Sequence, residues 1–149
     1  FIIAAANFFG WLIIHQKIPD RIIAGLVAMG ASQAHVLLIV MAVVLILGCF
    51  IEGNAIFLIT LPIFMPVAKM FTIDLVNFGV VMTLLIMIGN LTPPVGMCLF
   101  AVDSYAKVGI LPLSREVLPY LAVIFAVTLL IAFVPGISLF LPRLMMGGM

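Results

Sequence analysis

Apolar residues in this chain fall in long unbroken runs, with small polar clusters between them. Residues 1–16 contain no Asp, Glu, Lys or Arg and predict the end of a membrane-crossing helix. The first polar cluster is His15, Gln16, Lys17, Pro19, Asp20 and Arg21. Residues 20–30 follow as a short helix. At about 1.5 Å per residue it is too short to cross a bilayer, so it suits an interfacial or connecting arm. Residues 35–51 and 55–71 are two apolar runs of 17 residues, separated by Glu52-Gly53-Asn54. Each is near the lower length limit for a span. Two arrangements fit: two short tilted spans, or a re-entrant hairpin with Glu52-Gly53-Asn54 at its tip. The hairpin is preferred, because non-helical polar backbone at membrane depth must border protein or a wet cavity.

Residues 76–107 predict a discontinuous helix. Apolar sequence runs to Ile88, meets Gly89-Asn90-Leu91-Thr92-Pro93-Pro94-Val95-Gly96, and resumes from Met97. Two adjacent prolines remove two backbone donors and push the residue before them out of helical geometry. Residues 109–115, with Pro112 and Ser114, read as a loop. Residues 117–134 are an uninterrupted apolar run that predicts a spanning helix, with Pro119 in its first turn and Pro135-Gly136 ending it. Residues 137–149 read as an interfacial tail that frays.

Composition narrows the class. Hydrophobic residues make up 67% of the chain, against six Lys/Arg and five Asp/Glu, and the mean hydropathy is +1.52. A soluble fold of this size leaves about a third of its surface exposed and has nowhere to hide so much apolar area. Disorder requires the opposite composition. The expectation is an all-α membrane protein, and a chain opening at Phe1 without Met reads as the C-terminal part of a longer one. The net charge of +1 offers no basic patch for nucleic acid. Cys49 and Cys98 sit in apolar runs and suit small buried apolar roles. His15 and His35 flank loops, with no second ligand at metal-binding spacing. No G-x-S-x-G, H-E-x-x-H or phosphate-loop motif is present, so an enzyme is not expected.

The chemistry lies in the breaks. An interrupted membrane helix exposes carbonyls at the end of its first half and N–H groups at the start of its second. Secondary transporters use these ends for cations and for substrate carboxylates. Asn90 and Thr92 supply neutral oxygens, and Gly89 and Gly96 let backbone approach closely. Prolines that merely kink a helix are the plain alternative. Glu52, with Gly48, Gly53 and Asn54 beside it, is either a functional intramembrane carboxylate or a solvated one at the interface. Asp103 either contacts a polar cavity or, as preferred, pairs near the interface with Lys107, four residues on.

Four features in order (Gly48 to Gly53, Pro62 to Pro66, Phe78-Gly79, and Gly89 to Gly96) resemble the large membrane subunit of TRAP transporters, the DctM-like permeases. Glu52 stands where Asp is commoner in that pattern, and Asp103 is not part of it. The resemblance implies a single domain over residues 1–149: scaffold helix end and arm (1–34), hairpin (35–71), broken helix (76–107) and last span (116–135). This would be one of two inverted repeats of an elevator-type transporter of the bacterial inner membrane, built in this half around a hairpin and a broken helix. It implies Na⁺ as coupling ion, no other cofactor, and organic-acid substrates such as C4-dicarboxylates or sialic acid. It also implies two partners, a small membrane subunit and an extracytoplasmic substrate-binding protein. Gly89, Asn90, Thr92, Pro93, Pro94 and Gly96 would then shape a sodium and substrate site opposite Gly48, Glu52, Gly53 and Asn54. The alternatives are a citrate- or dicarboxylate-type symporter that works without a binding protein, and a membrane scaffold that transports nothing.

Overall fold

The computed structural model describes residues 2–93 and 95–146, all in helices and short connections. The helices are α1 Ile2–His15, α2 Ile18–Ala28, α3 Gln33–Gly48, α4 Gly53–Met70, α5 Leu75–Asn90, α6 Met97–Ala106, α7 Ile110–Phe133 and α8 Gly136–Met146. Pro94 and the terminal Gly-Gly-Met lie outside the described residues.

Local chemistry sets the helix starts. Ser32 donates its N–H to His35 Nδ1 at 3.3 Å, and its hydroxyl lies 2.7 Å from the same nitrogen, which ties the first turn of α3. Asp74 Oδ1 accepts the N–H groups of Val76 and Asn77 at 2.9 and 3.0 Å, capping α5. Glu52 does the same for α4. Each cap satisfies amides that the helix itself leaves without partners.

α5 is the central element. Phe78, Val81, Met82, Leu85 and Ile88 are all buried, following the three- and four-residue spacing of a helix. α3 packs against it most closely, through Val36, Val40 and Val44, while α7 and α4 cover other sides. Lipid is as apolar as these side chains, so leaving it gains them little; close packing has to hold membrane helices together. The tightest approach is Gly48 on Gly89. A Cβ built on Gly89 would lie 2.5 Å from Gly48 Cα, and one on Gly48 would lie 2.9 Å from Gly89 Cα. α1 meets α4 by a similar device, with Gly10 under the Pro62 ring at 3.0 Å from the position its Cβ would take.

The buried side chains of Thr60, Thr128 and Asn77 are tied in. Thr60 Oγ1 donates to the Ile56 carbonyl at 2.7 Å and Thr128 Oγ1 to the Ile124 carbonyl at 2.8 Å. Asn77, only 1% exposed, sits in the first turn of α5. Its Nδ2 donates to the Ala132 carbonyl at 3.5 Å, and its Oδ1 accepts from Ser138 Oγ at 2.7 Å. This bond set pins α5 to the corner between α7 and α8.

Three expectations are overturned. Residues 109–115 are not a loop. α7 begins at Ile110, and Pro112 fits its first turn because an N–H there has no helical partner anyway. Pro119 is therefore well inside α7, not in its first turn. Asp103 Oδ1 accepts the Gly109 N–H at 2.7 Å, in place of the expected Lys107 pair. α6 has ended by then, with Lys107 left-handed at φ 51 as its C-cap. The tail forms α8 through Met146, which is compatible with an interfacial segment, and its expected frayed end falls on 147–149, outside the described residues.

α4 and α7 are long and apolar enough to cross a membrane. At about 1.5 Å per residue α7 reaches about 36 Å, more than a hydrocarbon core of about 30 Å. Its exposed residues include Leu118, Val123, Val127 and Leu130. An apolar face of that extent belongs against lipid or protein, not water. The chain is an all-α membrane protein.

Two outcomes follow for the full-length protein in detergent, read by thermal unfolding. Gly89→Ala should destabilise by about 1–3 kcal/mol through overpacking, whereas Gly79→Ala, with nothing within 4 Å of its Cβ position, should be neutral or stabilising. Equal effects would remove the Gly48–Gly89 contact as a determinant of stability. In a double-mutant cycle, Asn77→Ala and Ser138→Ala should couple by about 1 kcal/mol. Simple additivity would show that the corner bond contributes nothing.

Candidate functional site

The break is present where the two prolines and flanking glycines place it. Residues 91–96 are non-helical wherever described, between the end of α5 and the start of α6. α5 closes on a tight turn. The Leu91 N–H reaches the Ile88 carbonyl at 3.1 Å and the Thr92 N–H reaches the Gly89 carbonyl at 3.0 Å. The Thr92 hydroxyl donates to the Ile88 carbonyl at 2.6 Å, which leaves its lone pairs free. Gly96 opens α6 with φ 56, in the left-handed region where a side chain is strained. A Cβ there would also crowd Leu99 at 2.9 Å and the Thr92 carbonyl oxygen at 3.3 Å. Leu99 and Phe100 then donate their N–H groups to the Gly96 carbonyl.

The α3–α4 turn comes to the end of α5. Gly48 contacts Gly89, and Gly53 lies under Asn90: a Cβ on Gly53 would be 2.9 Å from Asn90 Nδ2 and 2.6 Å from Ile86 Cγ2. Glycine at 48 and 89 is thus a packing requirement, backbone on backbone, whereas a Cβ on Gly53 would force the Ile86 and Asn90 side chains to shift. Beside this contact a cleft of about 190 Å³ opens between the first turn of α4 and the last two turns of α5. Glu52, Gly53, Asn54 and Phe57 line one wall; Thr83, Ile86, Met87 and Asn90 line the other.

Polar groups in this cleft have unequal partners. Glu52 Oε1 accepts the Asn54 N–H at 3.1 Å and the Asn54 Nδ2 at 2.8 Å, and its Oε2 accepts the Ala55 N–H at 3.1 Å. Asn90 Oδ1, by contrast, is buried and has no hydrogen-bond partner. An unpaired buried amide oxygen costs about 1–3 kcal/mol, so it implies strain or a missing ligand. It sits at the carbonyl end of α5, where the helix dipole is negative.

Of the residues named from sequence, Gly48, Glu52, Gly53, Asn54, Gly89 and Asn90 are brought together. Thr92 and Gly96 lie along the break itself, Pro93 is exposed there, and Pro94 is outside the described residues. Sequence reasoning missed Phe57, Thr83, Ile86 and Met87. Helical spacing carried the signal: 83, 86, 87 and 90 share one face of α5, and 57 lies one turn beyond Gly53. Among the described residues no group of three or more His, Cys, Asp and Glu side chains forms a metal cluster.

Comparison with known proteins identifies the family. Residues 1–137 match the family described as "Tripartite ATP-independent periplasmic transporter, DctM component". The sialic acid TRAP transporter permease protein SiaT of Haemophilus influenzae is 38% identical over 96% of the chain and 23% of its own length. The sialic acid TRAP transporter large permease protein SiaM of Vibrio cholerae is 36% identical over 97% of the chain and 34% of its own length. The C4-dicarboxylate TRAP transporter large permease protein DctM of Pseudomonas aeruginosa is 36% identical over 96% of the chain and 34% of its own length. The chain thus spans about a quarter to a third of the length of these relatives. With the family matched over most of its residues, the chain belongs to the DctM components of tripartite ATP-independent periplasmic transporters.

Proposed function

We propose that this chain forms the ion-binding hairpin and broken helix of a Na⁺-coupled permease that imports organic acids across the bacterial inner membrane. Substrates of the C4-dicarboxylate or sialic acid class are inferred from relatives named for them. The partners would be a small membrane subunit and an extracytoplasmic substrate-binding protein. The role is transport, not catalysis.

The observation that carries this reading is the orphan Asn90 Oδ1 at the junction of tip and break. A small hard cation takes oxygen ligands, and the residues lining the cleft include Asn54, Thr83 and Asn90, which carry amide and hydroxyl oxygens. The amides opening α6 carry no side-chain cap, so they suit a substrate carboxylate. Placing a cation and an anion at opposite ends of one break is how a broken helix couples the two. α3 and α5, with 16 residues each, reach about 24 Å, short of a full crossing. Those lengths support a half-helix α5 that stops inside the bilayer and a short arm α3 paired with the longer α4, as in an elevator-type transport domain.

The test is uptake of a labelled organic acid by the full-length permease with its partners, reconstituted in proteoliposomes. Uptake should require an inward Na⁺ gradient. Asn90→Ala should raise half-saturating Na⁺ about tenfold, the effect of losing about 1.4 kcal/mol of binding. Thr92→Ala should have a smaller effect in the same direction. Undiminished uptake with choline replacing Na⁺, or an Asn90→Ala protein with unchanged Na⁺ dependence, would refute the proposal.

A further inference from the structure

The acid at the tip invites assignment as an ion ligand, yet its bonds describe another task. Glu52 is exposed, and both its oxygens face donors of its own helix. Oε1 takes two of them, the backbone and side-chain amides of Asn54. An ion ligand needs lone pairs directed at the ion, and this carboxylate turns its lone pairs to the start of α4.

Those bonds have a consequence across the cleft. They fix the first turn of α4, and so they fix Gly53, the next residue, beneath the Asn90 amide. Tolerance there is small, because even one added carbon on Gly53 would collide with Ile86 and Asn90. The same carboxylate takes Asn54 Nδ2 as a donor, which leaves the side-chain carbonyl oxygen of this cleft-lining residue unused by Glu52.

We infer that Glu52 is a positioning residue: it caps α4 so that Gly53 and Asn54 stay in register with Asn90, and it acts on the cation through them. This rests on the cation reading of the cleft. It goes beyond it by removing the one carboxylate from the ligand set and giving its place to two asparagine side chains. The geometry requires a short hydrogen-bond acceptor at position 52, not a negative charge. Serine and aspartate are good helix caps, and serine is too short and uncharged to replace a carboxylate ligand.

The experiment titrates the purified full-length permease with sodium chloride, choline chloride keeping ionic strength constant, and follows melting temperature. The readout, called the midpoint below, is the Na⁺ dissociation constant fitted to the concentration at which the logarithmic rise in melting temperature sets in, since a general loss of stability lowers the baseline without moving that constant. Glu52→Ala should raise the midpoint about fivefold, the size of a lost cap. Glu52→Asp and Glu52→Ser should both return it to within about twofold of the parent. If Glu52→Ser is as impaired as Glu52→Ala while Glu52→Asp is rescued, Glu52 is a charged ligand and the inference is overturned. An unmoved midpoint in Glu52→Ala overturns it as well. Asn90→Ala in parallel separates the two levels. If it shifts the midpoint, the cation reading stands whatever Glu52 does; if it does not, both fall together.

Discussion

Two glycines, Gly48 and Gly89, touch backbone to backbone, and the rest of the site depends on that contact. In a bilayer there is little solvent drive to press apolar helices together, so what decides their separation is how near the backbones are allowed to come. Here the end of α3 and the end of α5 come near enough that no side chain fits between them. The turn that follows α3 is therefore delivered directly to the point where α5 stops. Had either position carried a larger residue, the hairpin tip would stand off from the break, and Gly53 would not reach Asn90.

From that contact outward, each element answers a specific backbone need. α5 ends because the prolines after it cannot continue a helix, and its last carbonyls turn inward to Leu91 and Thr92. α4 starts where Glu52 can satisfy its first amides. α5 starts under Asp74, and its first turn is locked by Asn77 to the α7–α8 corner. The central helix is thus held at both ends, by polar bonds at one and by glycine packing at the other. Between those anchors lies a cleft lined in part by Asn90, whose Oδ1 is, among the described residues, the one buried side-chain oxygen or nitrogen without a hydrogen-bond partner.

Much of this was legible in the sequence because backbone chemistry writes itself plainly there. Tandem proline flanked by glycines announces a broken helix whatever surrounds it, and Glu52-Gly53-Asn54 between two apolar runs announces a turn. Pro112 misled for a physical reason: proline stops a helix from within but opens one readily, and only the φ of 89 at Gly109 marks the true boundary. The expected partnership of Asp103 with Lys107 assumed a helix that continued; the helix ends at Ala106, and the carboxylate takes the next free amide instead. The role of Glu52 was hidden because an acid before a helix and an acid in a cavity look alike in sequence. The resemblance sets the Gly48–Asn54 tip opposite the break, but the direct backbone contact of Gly48 with Gly89 is illegible, since two glycines distant in the chain have no side chains to pair.

The account stands on Asn90 serving as an oxygen donor to a small cation at the junction of tip and break. The most direct measurement is an experimental density map of the full-length permease, determined once in sodium chloride and once in choline chloride. The account requires density at coordination distance from Asn90 Oδ1 in sodium and its loss in choline. An Asn90 amide bonded to protein groups in both conditions, with no density beside it in either, would contradict it.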